Sequence, residues 1–180
     1  RHWESEWNKK DIWTGLTDVS LSEKGKEESR QAAFEMSGMK IDFAYTSTLK
    51  RSKETLEIIR KILNIPSLHV IEHKALIERD YGELTGKNKW NMEKFYGEER
   101  FKKIRRGWNV PIPGGETLKD VYNRVVPYYK EEILPKLREG MNVLVIAHGN
   151  SLRALVKYLE NISDQDIEKL WKLNWRKLRY

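Results

Sequence analysis

The sequence predicts an α/β fold in which a mostly parallel β-sheet is covered by helices on both faces, giving three layers. Apolar runs rich in β-branched residues occupy residues 41–46, 68–72 and 142–147 and are typical of buried strands. Stretches with helical spacing of apolar residues separate these runs. Strands that alternate with helices in this way form parallel sheets, because each connecting helix packs back onto the sheet.

Capping residues and apolar periodicity predict the helices. Ser22 predicts the start of a helix that ends near Met36, since its hydroxyl can accept an unpaired amide of the first turn. Residues 47–63 predict a second helix, whose apolar side chains share one face. The further predicted elements are one or two surface helices in residues 88–107, a Pro- and Gly-rich loop at 110–115, a helix over 116–137 and a helix over 150–159.

The length predicts one domain over residues 1–180, and the absence of cysteine fits a reducing compartment. The chain has 34 Lys and Arg against 27 Asp and Glu, a net charge of +7, which favours an anionic partner. That partner is either nucleic acid or a phosphorylated small molecule. Because the charges are interleaved, a generally solvated surface is favoured over a polyanion-binding tail, and no nucleic-acid partner is expected. There is no cysteine and no apolar run of membrane-spanning length. We therefore expect a cytoplasmic protein without a membrane partner, and a homo-oligomer is compatible with the sequence.

Two histidines and two arginines predict the chemistry. His2 follows Arg1 directly, His148 follows the last predicted strand, and Arg51 follows the first. The carboxyl ends of parallel strands meet at one edge of a sheet, which draws Arg51 and His148 together. Arginine matches phosphate oxygens bidentately, and a neutral imidazole is a nucleophile near pH 7. The set therefore favours transfer of a phosphoryl group through a phosphohistidine.

Several short motifs stand in a fixed order along the chain. Residues 1–8 read Arg-His-Trp-Glu-Ser-Glu-Trp-Asn, and residues 147–151 read Ala-His-Gly-Asn-Ser. Between them lie Trp-Thr-Gly-Leu-Thr-Asp-Val at 13–19, Tyr-Thr-Ser-Thr-Leu-Lys-Arg at 45–51, Glu-Arg-Asp-Tyr-Gly at 78–82 and Gly-Gly-Glu-Thr-Leu at 114–118. With these motifs the chain resembles the cofactor-dependent phosphoglycerate mutases of the histidine phosphatase superfamily, and the resemblance implies their three-layer sandwich.

The resemblance also implies an isomerase that interconverts 2-phosphoglycerate and 3-phosphoglycerate in glycolysis and gluconeogenesis. Such enzymes are primed by 2,3-bisphosphoglycerate and use no metal. His2 would be the nucleophile, and Arg1, Arg51 and His148 would surround the transferred phosphate. Glu78 would be the general acid and base. The substrate-binding residues implied by the resemblance are Asn8, Thr14, Gly15, Tyr81, Lys89, Arg105, Arg106 and Asn150.

The sequence leaves two other functions open. A phosphatase of the same fold would use the same histidines, and the basic set Lys89, Arg105 and Arg106 favours the mutase over it. A non-catalytic anion or nucleic-acid binder is suggested by Trp3 and by the net charge. A zinc-peptidase site at the His-Val-Ile-Glu-His motif of residues 69–73 is rejected. That segment predicts a strand, in which its two histidines would lie about 13 Å apart.

Three features depart from the pattern of the family. Trp3 stands where the family has glycine, so we expect an indole to crowd the phosphate site. The family's first strand would precede Arg1, and its last strand would follow residue 170, where residues 167–178 instead have helical spacing. We therefore expect this chain to lack those two strands and to expose unpaired backbone at the edges of residues 41–46 and 143–147.

Overall fold

The sheet of the computed structural model, which describes residues 1–169, has three parallel strands. They are β1 (Phe43–Thr46), β2 (His69–Glu72) and β3 (Val143–Ile146), in the order β2-β1-β3. Both pairings are parallel and run the whole length of the strands. With helices around this sheet, the predicted α/β class is confirmed.

Helices make up most of the remaining regular structure in residues 1–169. The α-helices there are α1 (Glu6–Lys9), α2 (Glu23–Glu35), α3 (Lys50–Ile62), α4 (Lys89–Tyr96), α5 (Glu98–Arg106), α6 (Leu118–Tyr128), α7 (Leu134–Arg138) and α8 (Gly149–Leu159). Shorter turns are 3₁₀ at Lys74–Leu76, Gly82–Leu84 and Asp166–Glu168, and π-helical at Tyr129–Ile133. None of the helices in this part of the chain combines the length and apolar composition needed to cross a bilayer.

Most predicted helices form near their predicted bounds, and the differences have local causes. Ser22 caps α2 as predicted, since its Oγ accepts the amide of Gly25 at 3.1 Å. Helix α3 begins later than predicted, because the Ser47 hydroxyl accepts the amide of Leu49 at 3.2 Å and holds a turn before the helix. The polar segment forms two helices, α4 and α5, which meet at Gly97 with φ of 78°.

The helix predicted over residues 116–137 is in fact three consecutive helical segments. Thr117 is the N-cap of α6, and its Oγ1 accepts the amide of Asp120 at 3.1 Å. Pro127 lies inside α6 and has no amide hydrogen to donate. The next turn is π-helical, and α7 follows it. The apolar periodicity therefore predicts that this segment is helical, but it does not predict the π-helical turn between α6 and α7.

Two apolar clusters of the described residues pack on the sheet, one on each face, and a third cluster surrounds Trp13. On one face, Tyr45 of β1 belongs to a cluster with Leu118 of α6 and Leu155 of α8. On the other face, Ala44 belongs to a cluster with Leu56 of α3. Neighbouring residues of a strand point to opposite faces. The sheet is therefore covered on both sides, which gives the predicted three-layer arrangement.

The prediction of two unpaired strand edges is only partly right. The part that concerns β1 is wrong, because β1 lies in the centre and is paired on both sides. Strand β3 pairs with β1 on one side, and its other side has no strand partner within residues 1–169. The amide of His2 donates to the carbonyl of Ala147 at 2.8 Å, so the first residues lie against the carboxyl end of β3. Most of the helix predicted over residues 167–178 lies outside the described residues.

The His-Val-Ile-Glu-His motif lies on β2 and its end, as predicted, and not on a helix. The side chain of His69 is exposed at the start of the strand. His73 stacks on Tyr128 with ring centroids 4.1 Å apart and planes within 2° of parallel. The Nδ1 atom of His73 accepts the amide of Ala75 at 3.1 Å. The two histidines therefore have separate surroundings.

Candidate active site

A cavity of about 870 Å³ lies beyond the carboxyl ends of the three strands, where parallel sheets commonly bind their ligands. Nearly all of the predicted site residues meet in it. The lining residues among them are Arg1, His2, Asn8, Thr14, Gly15, Arg51, Glu78, Tyr81, Lys89, Arg105, Arg106 and Asn150. His148 is the exception, because it lies in contact with the His2 ring and not in the cavity wall.

The ring of His2 is buried and held in one tautomer. Its Nδ1 lies 2.6 Å from the carbonyl oxygen of Trp3, which can only accept a hydrogen bond. Nδ1 therefore carries the hydrogen, and Nε2 has the free lone pair. Burial and, after it, the charge of Arg51 hold the pKa of His2 well below its usual value. His2 is thus a neutral imidazole at pH 7, with a nucleophilic nitrogen.

His148 lies directly behind His2. The two ring centroids are 4.7 Å apart, and His148 has no exposed surface. Its Nε2 is hydrogen-bonded to Oγ of Ser47, at 2.6 Å, at the carboxyl end of β1. Its Nδ1 is buried and has no hydrogen-bond partner within residues 1–169. Burial and the neighbouring His2 lower the pKa of His148 well below its usual value.

Arg51 supplies a buried positive charge beside His2. Its two terminal nitrogens each donate at 2.9 Å to backbone carbonyls, those of Gly15 and Thr17. The turn that offers these carbonyls requires a φ of +51° at Gly15, which glycine adopts without strain. Burial lowers the pKa of Arg51. The guanidinium therefore fixes the loop that forms one wall of the cavity.

Glu78 is held by amides from the loop that contains it and from α8. Its Oε1 accepts from the amides of Arg79 and Asn150, at 2.8 and 3.2 Å, and from Nδ2 of Asn150 at 3.1 Å. The same Asn150 Nδ2 donates to the hydroxyl of Tyr81 at 2.8 Å. Burial and then the charge of Glu78 raise the pKa of Tyr81. Asn150, predicted as a substrate-binding residue, therefore also orients the carboxylate.

The backbone around Glu78 is fixed by an ion pair that the sequence analysis did not identify. Arg124 of α6 forms two hydrogen bonds with the carboxylate of Glu116, at 2.8 and 2.9 Å. The same guanidinium donates to the carbonyls of Ala75, Ile77 and Glu78, at 2.7, 3.0 and 3.0 Å. Such bidentate pairs have strict geometry. Helix α6 thereby sets the position of the loop that carries Glu78.

Lys89, Arg105 and Arg106 line the same cavity as His2 and form a cationic wall. Lys89 begins α4, while Arg105 and Arg106 occupy the last turn of α5. Burial and then the charge of Arg105 lower the pKa values of Lys89 and Arg106. Arg105 also lies over the rings of Trp13 and Phe101, at 6.0 and 5.3 Å from their centroids. These cations are placed to receive an anionic ligand.

Arg153 of α8 is a cavity residue that the sequence analysis missed. It is 4% exposed, and its Nη1 donates to Oδ1 of Asn150 at 3.2 Å. Its Nη2 donates to the carbonyls of Arg106 and Ile167, at 3.1 and 2.8 Å. Burial and then the charge of Arg106 lower its pKa to about 10. The sequence feature that could have identified Arg153 is its spacing of three residues from Asn150, which places both residues on one face of a helix.

A second part of the cavity wall surrounds Trp3. The half-buried indole lines the cavity together with Glu4 and with two residues of α2, Lys24 and Glu28. The Lys24 ammonium lies 3.7 Å from Glu4 and 4.0 Å from Glu28. The amide of Glu4 donates to the carboxylate of Glu28 at 3.3 Å. Trp3 therefore lies at the site, as expected, with its carbonyl bound to His2.

Comparison with known sequences agrees with this geometry. Residues 1–178 match the sequence profile of the histidine phosphatase superfamily (branch 1). The chain is similar to two proteins named 2,3-bisphosphoglycerate-dependent phosphoglycerate mutase. The one from Parvibaculum lavamentivorans is 46% identical over 169 residues, which cover 93% of this chain and 80% of the relative. The one from Chelativorans sp. is 47% identical over 172 residues, which cover 94% of this chain and 84% of the relative.

Solved structures share the fold. A mycobacterial glucosyl-3-phosphoglycerate phosphatase in complex with VO3 superposes with a TM-score of 0.84 at 22% identity, covering 96% of this chain and 84% of that one. A phosphoglycerate mutase from Bacillus anthracis superposes with a TM-score of 0.76 at 21% identity, covering 89% and 78%. At these identities the likeness concerns the fold. With a profile match over nearly all of its length and close sequence relatives, the chain belongs to the histidine phosphatase superfamily (branch 1).

Proposed function

We propose that this protein interconverts 2-phosphoglycerate and 3-phosphoglycerate through a phosphohistidine at His2, with 2,3-bisphosphoglycerate as the primer. The observation that carries the proposal is the neutral His2 ring, whose free Nε2 lies in a cavity lined with cations. The names of the sequence relatives support the choice of substrate. The partners are then small phosphoglycerates in glycolysis and gluconeogenesis, in the cytoplasm, and the reaction requires no metal.

In the first step the protein becomes phosphorylated. The Nε2 lone pair of His2 attacks a phosphorus atom of the primer, and the phosphorus–oxygen bond of that ester breaks. Protonated Glu78 gives its proton to the leaving oxygen. The Nε2 atom can accept the phosphoryl group because the ring proton stays on Nδ1, which donates a hydrogen bond to the Trp3 carbonyl. The product is phospho-His2 with a monophosphoglycerate.

In the second step the phosphoryl group moves to the substrate. Glu78 removes the proton from the free hydroxyl of the phosphoglycerate, whose oxygen attacks phosphorus as the nitrogen–phosphorus bond breaks. The bisphosphoglycerate then turns within the cavity and returns its other phosphoryl group to His2. Charge on the transferred oxygens is stabilised by Arg1, Arg51 and His148. The net reaction moves one phosphoryl group between two carbons.

The remaining predicted residues hold the substrate in this proposal. Lys89, Arg105 and Arg106 bind its carboxylate and its second phosphate, since they line the same cavity as His2. The other predicted contacts come from Asn8, Thr14, Gly15, Tyr81 and Asn150. A cavity that holds the bisphosphate while it turns would favour transfer over loss to water.

Incubation with 2,3-bisphosphoglycerate tests the proposal directly. We expect the intact protein to gain the mass of one phosphoryl group, and the adduct to be lost in acid but kept in base. The loaded protein should then convert 3-phosphoglycerate to 2-phosphoglycerate. A protein that forms the adduct but only releases inorganic phosphate would be a phosphatase of the same fold. A protein that binds the compound without any adduct would be a non-catalytic anion binder.

The cationic wall is expected to decide between mutase and phosphatase. Replacing Lys89, Arg105 and Arg106 together with alanine should lower the kcat/KM of isomerisation by at least about 10²-fold, since each charge-assisted contact is worth roughly 1.5–3 kcal/mol. The share of phosphate released to water should rise. Both products can be measured in one assay.

The matched control for the cationic wall removes three exposed basic residues that do not line the cavity, Lys87, Lys102 and Lys103. This triple alanine variant loses the same charge and should keep both activities. An unchanged ratio of isomerisation to phosphate release in the cavity variant would instead make its three residues a solvated basic surface.

Arg153 is expected to act through Asn150. Because Arg153 donates to Asn150 Oδ1, it turns the amide nitrogen toward Glu78 and Tyr81. Arg153→Met should lower kcat by about 10- to 100-fold with little change in KM. In an Asn150→Ala background the same substitution should add little, which a double-mutant cycle measures. Full additivity of the two losses would give Arg153 a role independent of Asn150.

A further inference from the structure

Three possible metal ligands of two kinds lie together at the end of the sheet. The donor atoms of His2, Glu78 and His148 all lie within 4.8 Å of one another. Two imidazoles and one carboxylate are a donor set that binds zinc in proteins, with a water molecule in the fourth position. The proposed reaction uses these three residues without a metal, so the donor set raises a separate question about metal binding.

Each imidazole has one ring nitrogen already bound and one left over. Nδ1 of His2 is bound to the Trp3 carbonyl, which leaves Nε2 with a lone pair. Nε2 of His148 is bound to the Ser47 hydroxyl, which leaves Nδ1 buried and without a hydrogen-bond partner in the described part of the chain. A buried nitrogen of this kind costs free energy until a ligand satisfies it.

The carboxylate of Glu78 likewise has one oxygen bound by protein groups and one oxygen left over. Oε1 of Glu78 accepts three hydrogen bonds from Arg79 and Asn150, and Oε2 lies on the side of Gly149. In metal sites a ligating histidine usually gives its other ring N–H to a carbonyl or similar acceptor, and ligating carboxylates are hydrogen-bonded too. The partners that would orient all three ligands are therefore already in place.

We propose that His2 Nε2, His148 Nδ1 and Glu78 Oε2 bind one Zn²⁺ ion, and that bound zinc blocks phosphorylation of His2. With bonds of about 2.0–2.2 Å, tetrahedral ligand atoms lie about 3.4 Å apart. The donor atoms lie within 4.8 Å of one another, so zinc binding has to draw them together by up to about 1.4 Å. The zinc ion then occupies the lone pair that would attack phosphorus.

The surrounding charges set the strength of this site. Zinc binds His2 in the tautomer whose Nδ1 donates to the Trp3 carbonyl, and His148 in the tautomer whose Nε2 donates to the Ser47 hydroxyl. Glu78 contributes one negative charge, while Arg1 and Arg51 oppose the ion. Arg51 is held on the carbonyls of Gly15 and Thr17 and stays in place. Zinc and a phosphate group therefore compete for the same space. The positive charges of Arg1 and Arg51 attract the phosphate group and repel the zinc ion.

Direct titration with Zn²⁺ alone tests the site. The unphosphorylated full chain is titrated in a phosphate-free buffer against a chromophoric zinc chelator, and Co²⁺ is used in parallel for its ligand-field spectrum. We expect one ion per chain and a tetrahedral cobalt spectrum. Glu78→Gln should weaken zinc binding by at least about tenfold, because it removes a charged ligand but keeps the shape.

The other two histidines of the chain provide a matched control. The double variant His69→Gln/His73→Gln removes the imidazoles of β2 and should bind zinc as the parent protein does. Thermal melting of all variants without metal checks their folding. Equal zinc affinity in folded Glu78→Gln, or loss of binding in the double variant, would overturn the assignment.

A second experiment tests whether bound zinc blocks phosphorylation of His2. Only this experiment rests on the proposed function. Zinc should slow the formation of phospho-His2 from 2,3-bisphosphoglycerate, and a chelator should restore it. Phosphorylated protein should no longer bind zinc at this site. Failure of the protein to become phosphorylated at all would contradict the proposed function and leave the direct titration as the test of the site. Phosphorylation at full rate on zinc-saturated protein would overturn the proposed block.

Discussion

Replacing His2 with alanine is expected to abolish the acid-labile adduct with 2,3-bisphosphoglycerate and to lower isomerisation by at least about 10³-fold, because the group that forms the covalent intermediate is gone. The rest of the cavity stays, so the variant should still bind phosphoglycerate. Mass spectrometry of the intact protein and a coupled assay of isomerisation measure the two effects.

The control for this substitution is His69→Ala. His69 is exposed at the start of β2 and does not line the cavity, so its loss should change neither the adduct nor the rate. Melting curves of both variants check that the fold is kept. An acid-labile adduct that persists in His2→Ala would show that another residue is the nucleophile.

Replacing Glu78 with glutamine is expected to lower kcat by about 10²–10⁴-fold while KM changes little. The glutamine oxygen can still accept the hydrogen bonds of Arg79 and Asn150, so the shape of the site is kept. What is lost is the ability to take a proton from the substrate hydroxyl and to return it. Steady-state kinetics in both directions separate kcat from KM.

The matched control for Glu78 is Glu83→Gln. Glu83 is an exposed carboxylate in the same loop region and does not line the cavity, so its substitution should leave kcat unchanged. A near-normal kcat in Glu78→Gln would remove Glu78 from the acid–base role.

The sequence predicted the fold class and the meeting of distant residues because both follow from local patterns. Apolar runs that alternate with helical spacing determine a parallel sheet, and residues after its strands meet at one edge. Arg51 and His148 were placed in this way, and the structure brings both next to His2. Choosing Glu78 over Glu83 required the resemblance, since both are carboxylates in a polar loop.

The features that the sequence did not predict depend on tertiary contacts. In the sequence, Arg124 resembles any exposed arginine of a helix. In the structure it forms an ion pair with Glu116 and donates hydrogen bonds to three backbone carbonyls. Arg153 looks like a solvated residue of α8, but it is buried against Asn150. The π-helical turn after Pro127 has the same apolar spacing as an α-helix. The carbonyls of Ala75 and Glu78, which Arg124 binds, lie 49 and 46 residues away along the chain, and that of Arg106, which Arg153 binds, lies 47 residues away. Periodicity carries no information about contacts over such separations.

The hydrogen bond between the His2 amide and the Ala147 carbonyl bears on the order in which the protein folds. It joins His2 to the residue that follows β3, so the chain must extend as far as Ala147 before the contact can form. Contacts between remote segments form late and slowly, because the loop entropy is lost before they can compensate for it. During synthesis, helices α2 and α3 can pack on β1 and β2 early, while the His2 amide finds its acceptor only once β3 and Ala147 are in place. Catalytic competence should therefore be the last property that a nascent or refolding chain acquires.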